Sequence, residues 1–326
     1  MKKIICILLI SLLVLSLSLS ALSGCSTHDD GKLKVVVTIF PVYDWVMQAL
    51  GDRTEEVSVT LLLDSSVDMH SYQPSAMDLV SVAQADLFIY VGGESDEWVD
   101  DALKNAKNKD MRTINLLSLL GDRAQIEEVK EGMEHEHEAS AEEEEDAEYD
   151  EHVWLSLKNA SFYVDLIAKE LGTIDKDHAE LYKTNAEAYE KKLGDLDDSY
   201  AAVVEESPRD TILFGDRFPF RYLVEDYGID YYAAFVGCSA ETNASFETMN
   251  FLINKVNELS VKVILKIENS SSAIAEAVKN GSDAKNQDIK VLDSLQSATK
   301  KEYAQGRTYL AVMTSNLEVL RSALAA

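Results

Sequence analysis

Ala179-Glu-Leu-Tyr-Lys-Thr-Asn-Ala-Glu-Ala-Tyr-Glu-Lys-Lys-Leu-Gly-Asp-Leu196 lies within a stretch, residues 175–206, whose reading decides how the chain is organised. Apolar residues stand at Ala179, Leu181, Tyr182, Ala186, Tyr189, Leu193 and Leu196, close to the three- and four-residue spacing of one helix face. At about 1.5 Å per residue the predicted helix runs more than about 40 Å. A helix of that length between two sets of alternating elements is expected to be a spine joining two lobes.

Strand and helix alternate on both sides of it. Lys34-Val-Val-Val-Thr-Ile-Phe40 is a continuous, mostly β-branched run, as in strands buried in parallel sheets. Residues 41–50 follow at helical spacing, with Pro41 in the first turn and Gly51 past the end. Further strands are predicted at 57–63, 86–91 and 113–117, and helices at 75–85, 98–106 and 159–171. Beyond Pro208, strands are predicted at 211–214, 231–236, 261–267 and 290–292, with helices at 221–227, 246–259, 271–279 and 309–324. The pattern predicts an α/β protein with two (β/α) lobes and mostly parallel sheets. The lobes would be residues 33–174 and 208–326, joined by one long rigid connecting helix at 175–207.

The first residues read as a targeting segment. Lys2 and Lys3 precede an apolar run at 4–19, and Leu22-Ser-Gly-Cys25 resembles a bacterial lipobox. A signal peptide at 1–24, a lipidated Cys25 and a polar tether at 25–32 are expected, anchoring the body to the outer face of the cell membrane. In a Gram-negative cell that face is the periplasm. Cys6 goes with the signal, so Cys238 is the one cysteine left and there is no internal disulfide framework. The net charge is −28. Such a surface attracts cations and repels nucleic acid, which excludes nucleic-acid binding.

The charge is uneven. Residues 127–151 hold fourteen acids and one lysine, with His135 and His137 inside the run and His152 directly after it. Imidazole and carboxylate are the groups that borderline divalent metals take as ligands. Two motifs carry further histidine chemistry. Asp68-Met-His70-Ser-Tyr-Gln-Pro74 follows a predicted strand, where α/β folds place ligand residues. Asp150-Glu-His152-Val-Trp154 closes the acidic segment. Taken alone, each histidine reads more readily as an ordinary loop residue than as a ligand.

Four collinear motifs make a resemblance specific: Thr38-Ile-Phe-Pro-Val-Tyr-Asp-Trp45, Met69-His-Ser-Tyr-Gln-Pro74, Ala85-Asp-Leu-Phe-Ile-Tyr-Val-Gly-Gly93 and His152-Val-Trp-Leu-Ser-Leu-Lys-Asn-Ala160. Together they resemble the zinc/manganese substrate-binding proteins of bacterial ABC importers, the family 9 solute-binding proteins. The resemblance covers nearly all of the chain after the targeting segment. It implies metal bound between two lobes, with His70 and His152 as ligands from the first. The histidine-containing acidic loop is similar to that of the zinc members.

The second lobe departs from the family's pattern. Aligning on Phe220-Arg-Tyr-Leu223 puts Arg217 where a third histidine or glutamate belongs, and a guanidinium has no lone pair to give. Asp216 beside it is either a carboxylate ligand or a strand-end acid that orients Arg217. Asp293 matches the position of the family's final acid, as a ligand or as a support to one, unless it is a helix cap. Glu268 and Glu241 are expected in cleft-facing loops, supporting the ligands. His135 or His137 would fold over to complete the shell, or the acidic loop only raises the local metal concentration.

The function this implies is capture of Zn²⁺ outside the membrane by a monomer, with delivery to a cognate ABC permease driven by its ATPase. Mn²⁺ or Fe²⁺ is the alternative cargo, since two histidines and two carboxylates suit those ions as well. A surface zinc hydrolase is the remote alternative. It would need an open coordination position and a base such as Glu268, and the chain has no His-Glu-x-x-His or Gly-x-Ser-x-Gly motif. Imidazole must be neutral to bind metal, so affinity is expected to fall below about pH 6.5.

Overall fold

Val35, Val36 and Val37 are buried in β1 (Leu33–Val37), as an unbroken β-branched run requires. The computed structural model describes residues 31–65, 67–133, 148–239 and 243–325. β1 is flanked by β2 (Val57–Leu61) and β3 (Leu87–Tyr90), and β4 (Arg112–Asn115) lies outside β3. The four strands are all parallel in the order β2-β1-β3-β4, with Val35 opposite both Val59 and Leu87. Ser75 starts the helix Ala76–Ala83 by a capping box with Asp78. The strand predicted at 113–117 stops at Asn115, because that side chain accepts from Ser118 N–H (2.9 Å) and starts the short helix Leu116–Leu120.

The second lobe holds β5 (Thr211–Leu213), β6 (Arg217–Phe218), β7 (Asp230–Tyr232), β8 (Phe235–Val236), β9 (Val263–Lys266) and β10 (Asp288–Val291). β5 pairs with β7, β9 with β10 and β6 with β8, each in parallel, and a Phe214–Leu265 bridge links the first two ladders. The strand predicted at 231–236 is therefore two strands with different partners. The chain changes partner at Ala234, whose N–H donates to the Asp216 carbonyl (3.0 Å).

The connecting helix is Ala179–Glu206, 28 residues, entered through the turn Lys176–His178. It buries Tyr182, Ala186, Tyr189, Leu193, Leu196, Tyr200 and Val203, whereas Leu181 is exposed and off this face. It packs against the helices Leu157–Ile174, Phe40–Leu50 and Tyr309–Leu324. One hydrophobic core runs from Val35 in the first lobe through Tyr189 to Phe214, Leu265 and Leu320. A smaller cluster around Leu213, Phe235, Leu252 and Ile264 lies within the second lobe. Lobes that share a large apolar core move little against each other. Leu33–Ala326 make one compact unit. Among the described residues no helix is long and apolar enough to cross a membrane.

Candidate metal site

The C-terminal ends of parallel strands are where α/β sheets hold ligands. β2 leads to His70, β5 to Asp216, β8 to Cys238, β9 to Glu268 and β10 to Asp293. A cleft of about 330 Å³ is lined by Asp68, Asp216, Arg217, Ser239, Glu268 and Gln296.

His70 stands in the turn Met69–Ser71, capped by Asp68, whose Oδ1 accepts from His70 N–H (3.0 Å). His152 is fully buried, and its backbone N–H donates to Asp150 Oδ1 (2.8 Å). The His152 ring places Nδ1 3.0 Å from the same oxygen. A carboxylate only accepts, so the ring proton sits on Nδ1 and the Nε2 lone pair is free. His70 Nδ1 faces Ser95 Oγ (2.9 Å), a hydroxyl that can give or take the ring proton, with Glu151 Oε2 3.6 Å away. The two Nε2 atoms are 3.2 Å apart. With the ring proton of each histidine on Nδ1, the two Nε2 lone pairs face each other, and acceptors cannot satisfy one another. A cation can.

The surroundings favour a neutral imidazole and a positive guest. Burial, and next the neighbouring His152, push the His70 imidazole down to about 3. Asp150 and Glu151 are buried, and Glu151 Oε2 makes no hydrogen bond. Gly93, at φ +82°, permits the close approach of Glu151, because a Cβ there would collide with the Glu151 carboxylate. Burial raises the Glu151 carboxyl, against its hydrogen bonds from Ser95.

Cys238 stands beside the two histidines, a placement that the sequence did not suggest. A ligand atom from each of His70, His152 and Cys238 lies within 4.8 Å of the other two. Burial, and then Asp150, Glu127 and Glu151, push the Cys238 thiol well above its ordinary range. A lone cysteine offers no spacing to read. The available signal was Gly237 before it: a Cβ there would sit 2.9 Å from the Phe218 carbonyl and 3.2 Å from His152 Cε1.

Among the described residues, the predicted acids of the second lobe do not join this cluster. Asp216 is buried, and its carboxylate accepts from the backbone N–H groups of Arg217 (2.9 Å) and Ile267 (3.1 Å). Asp293 is held by Arg307 (2.9 and 3.1 Å) and caps Leu295 N–H (2.9 Å). Glu268 accepts from Ser294 N–H (2.6 Å), Ser294 O–H (2.8 Å) and Gln296 N–H (3.2 Å). Arg217 reaches across to pair with Asp68 and also donates to the Ser239 carbonyl (3.3 Å). Glu241, His135, His137 and Cys25 lie outside the described residues. The stem of the acidic segment is described: Ile126 and Tyr149 form an antiparallel bridge, and Glu127 N–H donates to the Glu148 carbonyl (2.9 Å). Asp150 and Glu151 belong to the buried site rather than to a solvated run.

The zinc-binding lipoprotein AdcA of Streptococcus pneumoniae is 32% identical over 318 residues, covering 96% of this chain and 60% of that protein. The high-affinity zinc uptake system protein ZnuA of Bacillus subtilis is 30% identical over 315 residues, 96% of this chain and 94% of that protein. The chain spans about 60% of the length of the AdcA relatives it matches. Among solved structures, the Zn(II)-bound ZnuA-like domain of Streptococcus pneumoniae AdcA superposes with a TM-score of 0.71 at 28% identity, over 90% of this chain and 100% of that one. The metal-dependent lipoprotein YcdH from Bacillus subtilis gives 0.72 at 28% identity, with the same two coverages. Two lobes, a long connecting helix and a histidine pair at the strand ends thus agree with the match of residues 35–323 to the family described as zinc-uptake complex component A, periplasmic, and the chain belongs to that family.

Proposed function

We propose that this chain captures Zn²⁺ between its lobes and delivers it to a membrane permease driven by an ATPase. One observation carries the reading: His70 and His152 set their Nε2 atoms 3.2 Å apart, with the Asp150 carboxylate on His152 Nδ1 and the Ser95 hydroxyl on His70 Nδ1. Zinc bound at about 2.0–2.1 Å with tetrahedral angles sets its nitrogens about 3.3 Å apart. Carboxylates behind metal-binding imidazoles fix the ring and raise its basicity. The relatives named for zinc binding and zinc uptake support the same cargo.

In this reading residues 33–174 and 208–326 are the lobes, and the helix at 175–207 limits their motion to small shifts. Asp216, Asp293 and Glu268 act as supports, because their oxygens already accept from N–H groups. Glu268 is then no free base, which weighs against a hydrolase. The protein works as a monomer outside the membrane, tethered by lipid on Cys25. The test is metal analysis of protein purified without added metal, followed by competition between Zn²⁺ and Mn²⁺. Bound zinc that resists equimolar manganese is expected. Manganese displacing zinc at equal concentration would overturn the choice of cargo.

A further inference from the structure

The family pattern leaves a vacancy in the second lobe, where Arg217 replaces a ligand and is turned to Asp68. Cys238 comes from that lobe too, on the turn after β8. We infer that Cys238 Sγ is the metal ligand contributed by the second lobe, so that the site is a thiolate site built on His70, His152 and Cys238. This rests on the proposal that the histidine pair holds the cargo.

Three independent features support it. One ring nitrogen of each histidine and Sγ lie within 4.8 Å of one another. A tetrahedral zinc with Zn–N near 2.0–2.1 Å and Zn–S near 2.3 Å needs N···S separations of about 3.6 Å. The thiol therefore closes by roughly 1 Å at most, a side-chain adjustment. The turn itself is aimed: Cys238 N–H donates to Glu127 Oε1 (2.9 Å), and Gly237 presses against the His152 ring with no room for a side chain. Finally, the buried Glu151 Oε2 has no hydrogen-bond partner and stands 3.6 Å from His70 Nδ1, a charge that a cation on the far side of the ring would compensate.

On binding, the metal–sulfur bond forms as the S–H proton leaves to solvent, so loading releases a proton. A thiolate changes the selectivity of the site. Sulfur favours Zn²⁺ and softer ions over Mn²⁺, which prefers oxygen ligands. Cys238 then does the work that the missing histidine does elsewhere, and it separates zinc from manganese more sharply.

The test uses the chain from residue 25 onward with Cys25→Ser as its reference protein, so that Cys238 is its one thiol. Co²⁺ is added to the reference protein and to its Cys238→Ser variant, and the near-ultraviolet spectrum is read for a thiolate-to-cobalt charge-transfer band. Zinc and manganese affinities are measured on both proteins, with melting temperatures to check the fold. The band is expected in the reference protein and absent in the variant. Zinc affinity is expected to fall by roughly a hundredfold, at the top of the range that losing even a supporting partner costs, while manganese affinity changes little. A reference cobalt complex without the band, in a protein that binds zinc through His70 and His152, would overturn the thiolate and leave the histidine site standing. A reference protein that binds neither zinc nor cobalt would overturn both. The reference spectrum decides even if the variant fails to fold.

Discussion

Trp154 donates its indole N–H to the Ser294 carbonyl at 2.9 Å, joining the first lobe to the second two residues from His152. Tyr309 extends the link, donating its O–H to the Trp154 carbonyl (2.7 Å) and its N–H to Asp44 Oδ2 (3.1 Å). Tyr189 of the connecting helix donates to the same Asp44 oxygen (3.0 Å). The histidine is therefore mounted on a network that spans both lobes and the spine. Replacing Trp154 by Phe leaves the buried Ser294 carbonyl without its donor, at a cost of about 1–2 kcal/mol. A correspondingly lower urea unfolding midpoint is expected, and an unchanged midpoint would show that the link carries no weight.

Asp150 holds the His152 ring through Nδ1 and the His152 backbone through N–H. Asp150→Ala frees the tautomer and the rotation of the ring, and zinc affinity is expected to fall by about 10- to 100-fold. Asp150→Asn keeps an acceptor in place and is expected to lose less. Calorimetric titration of both variants checks the order; equal losses would argue against a role through hydrogen bonding.

Acid should weaken the metal-free protein in part through His70. Its folded ring stays neutral to about pH 3, whereas in the unfolded chain it takes a proton near 6.5. Between those values only the unfolded chain is protonated, so stability falls as pH drops, by up to about 1.4 kcal/mol per pH unit. Asp96 opposes this: burial raises its folded carboxyl to about 6, above the unfolded value, so acidification through pH 6 to 4 favours the folded state there. His70→Gln removes the first contribution and keeps the second. The stability gap between wild type and variant should shift against the wild type from pH 7 to pH 4, read by urea midpoints in chelator. A gap independent of pH would contradict the burial of a neutral ring. The expected loss of metal affinity below pH 6.5 also moves to lower pH at His70, because proton competition there begins later.

The acidic segment is closed at its stem by the Ile126–Tyr149 bridge and by Asp150 N–H donating to the Gln125 carbonyl (2.9 Å). Replacing residues 134–147 by a short glycine linker preserves that stem. Tight-site zinc affinity is expected to be unchanged, with only weak additional sites lost. Loss of the tight site on deletion would place His135 or His137 among its ligands.

Much of this was legible in the chain. The connecting helix follows from the repeat Tyr182, Ala186, Tyr189, Leu193, Leu196, and the capped helix start from Ser75 with Asp78, because local pattern and cap chemistry decide both. The break at Ala233 and Ala234 was not legible, since the apolar run continues while the change of strand partner is set by distant Arg217 and Phe218. His70 and His152 stood out through collinear motifs and not through spacing, and the fold sets their rings side by side. Asp293 and Asp216 look like ligands in sequence, but Arg307 and the Ile267 N–H engage them in the fold. Cys238 was read as a leftover thiol, because the contact that gives it chemistry joins residues from two lobes.

The central claim is that the His70–His152 pair holds the cargo ion. Equilibrium dialysis against zinc at a concentration well below that of weak surface sites, with the wild type and the double variant His70→Ala/His152→Ala, tests it most directly. One tightly held zinc per wild-type chain and none in a folded double variant is the predicted result. A folded double variant that still holds one zinc as tightly as the wild type would contradict it.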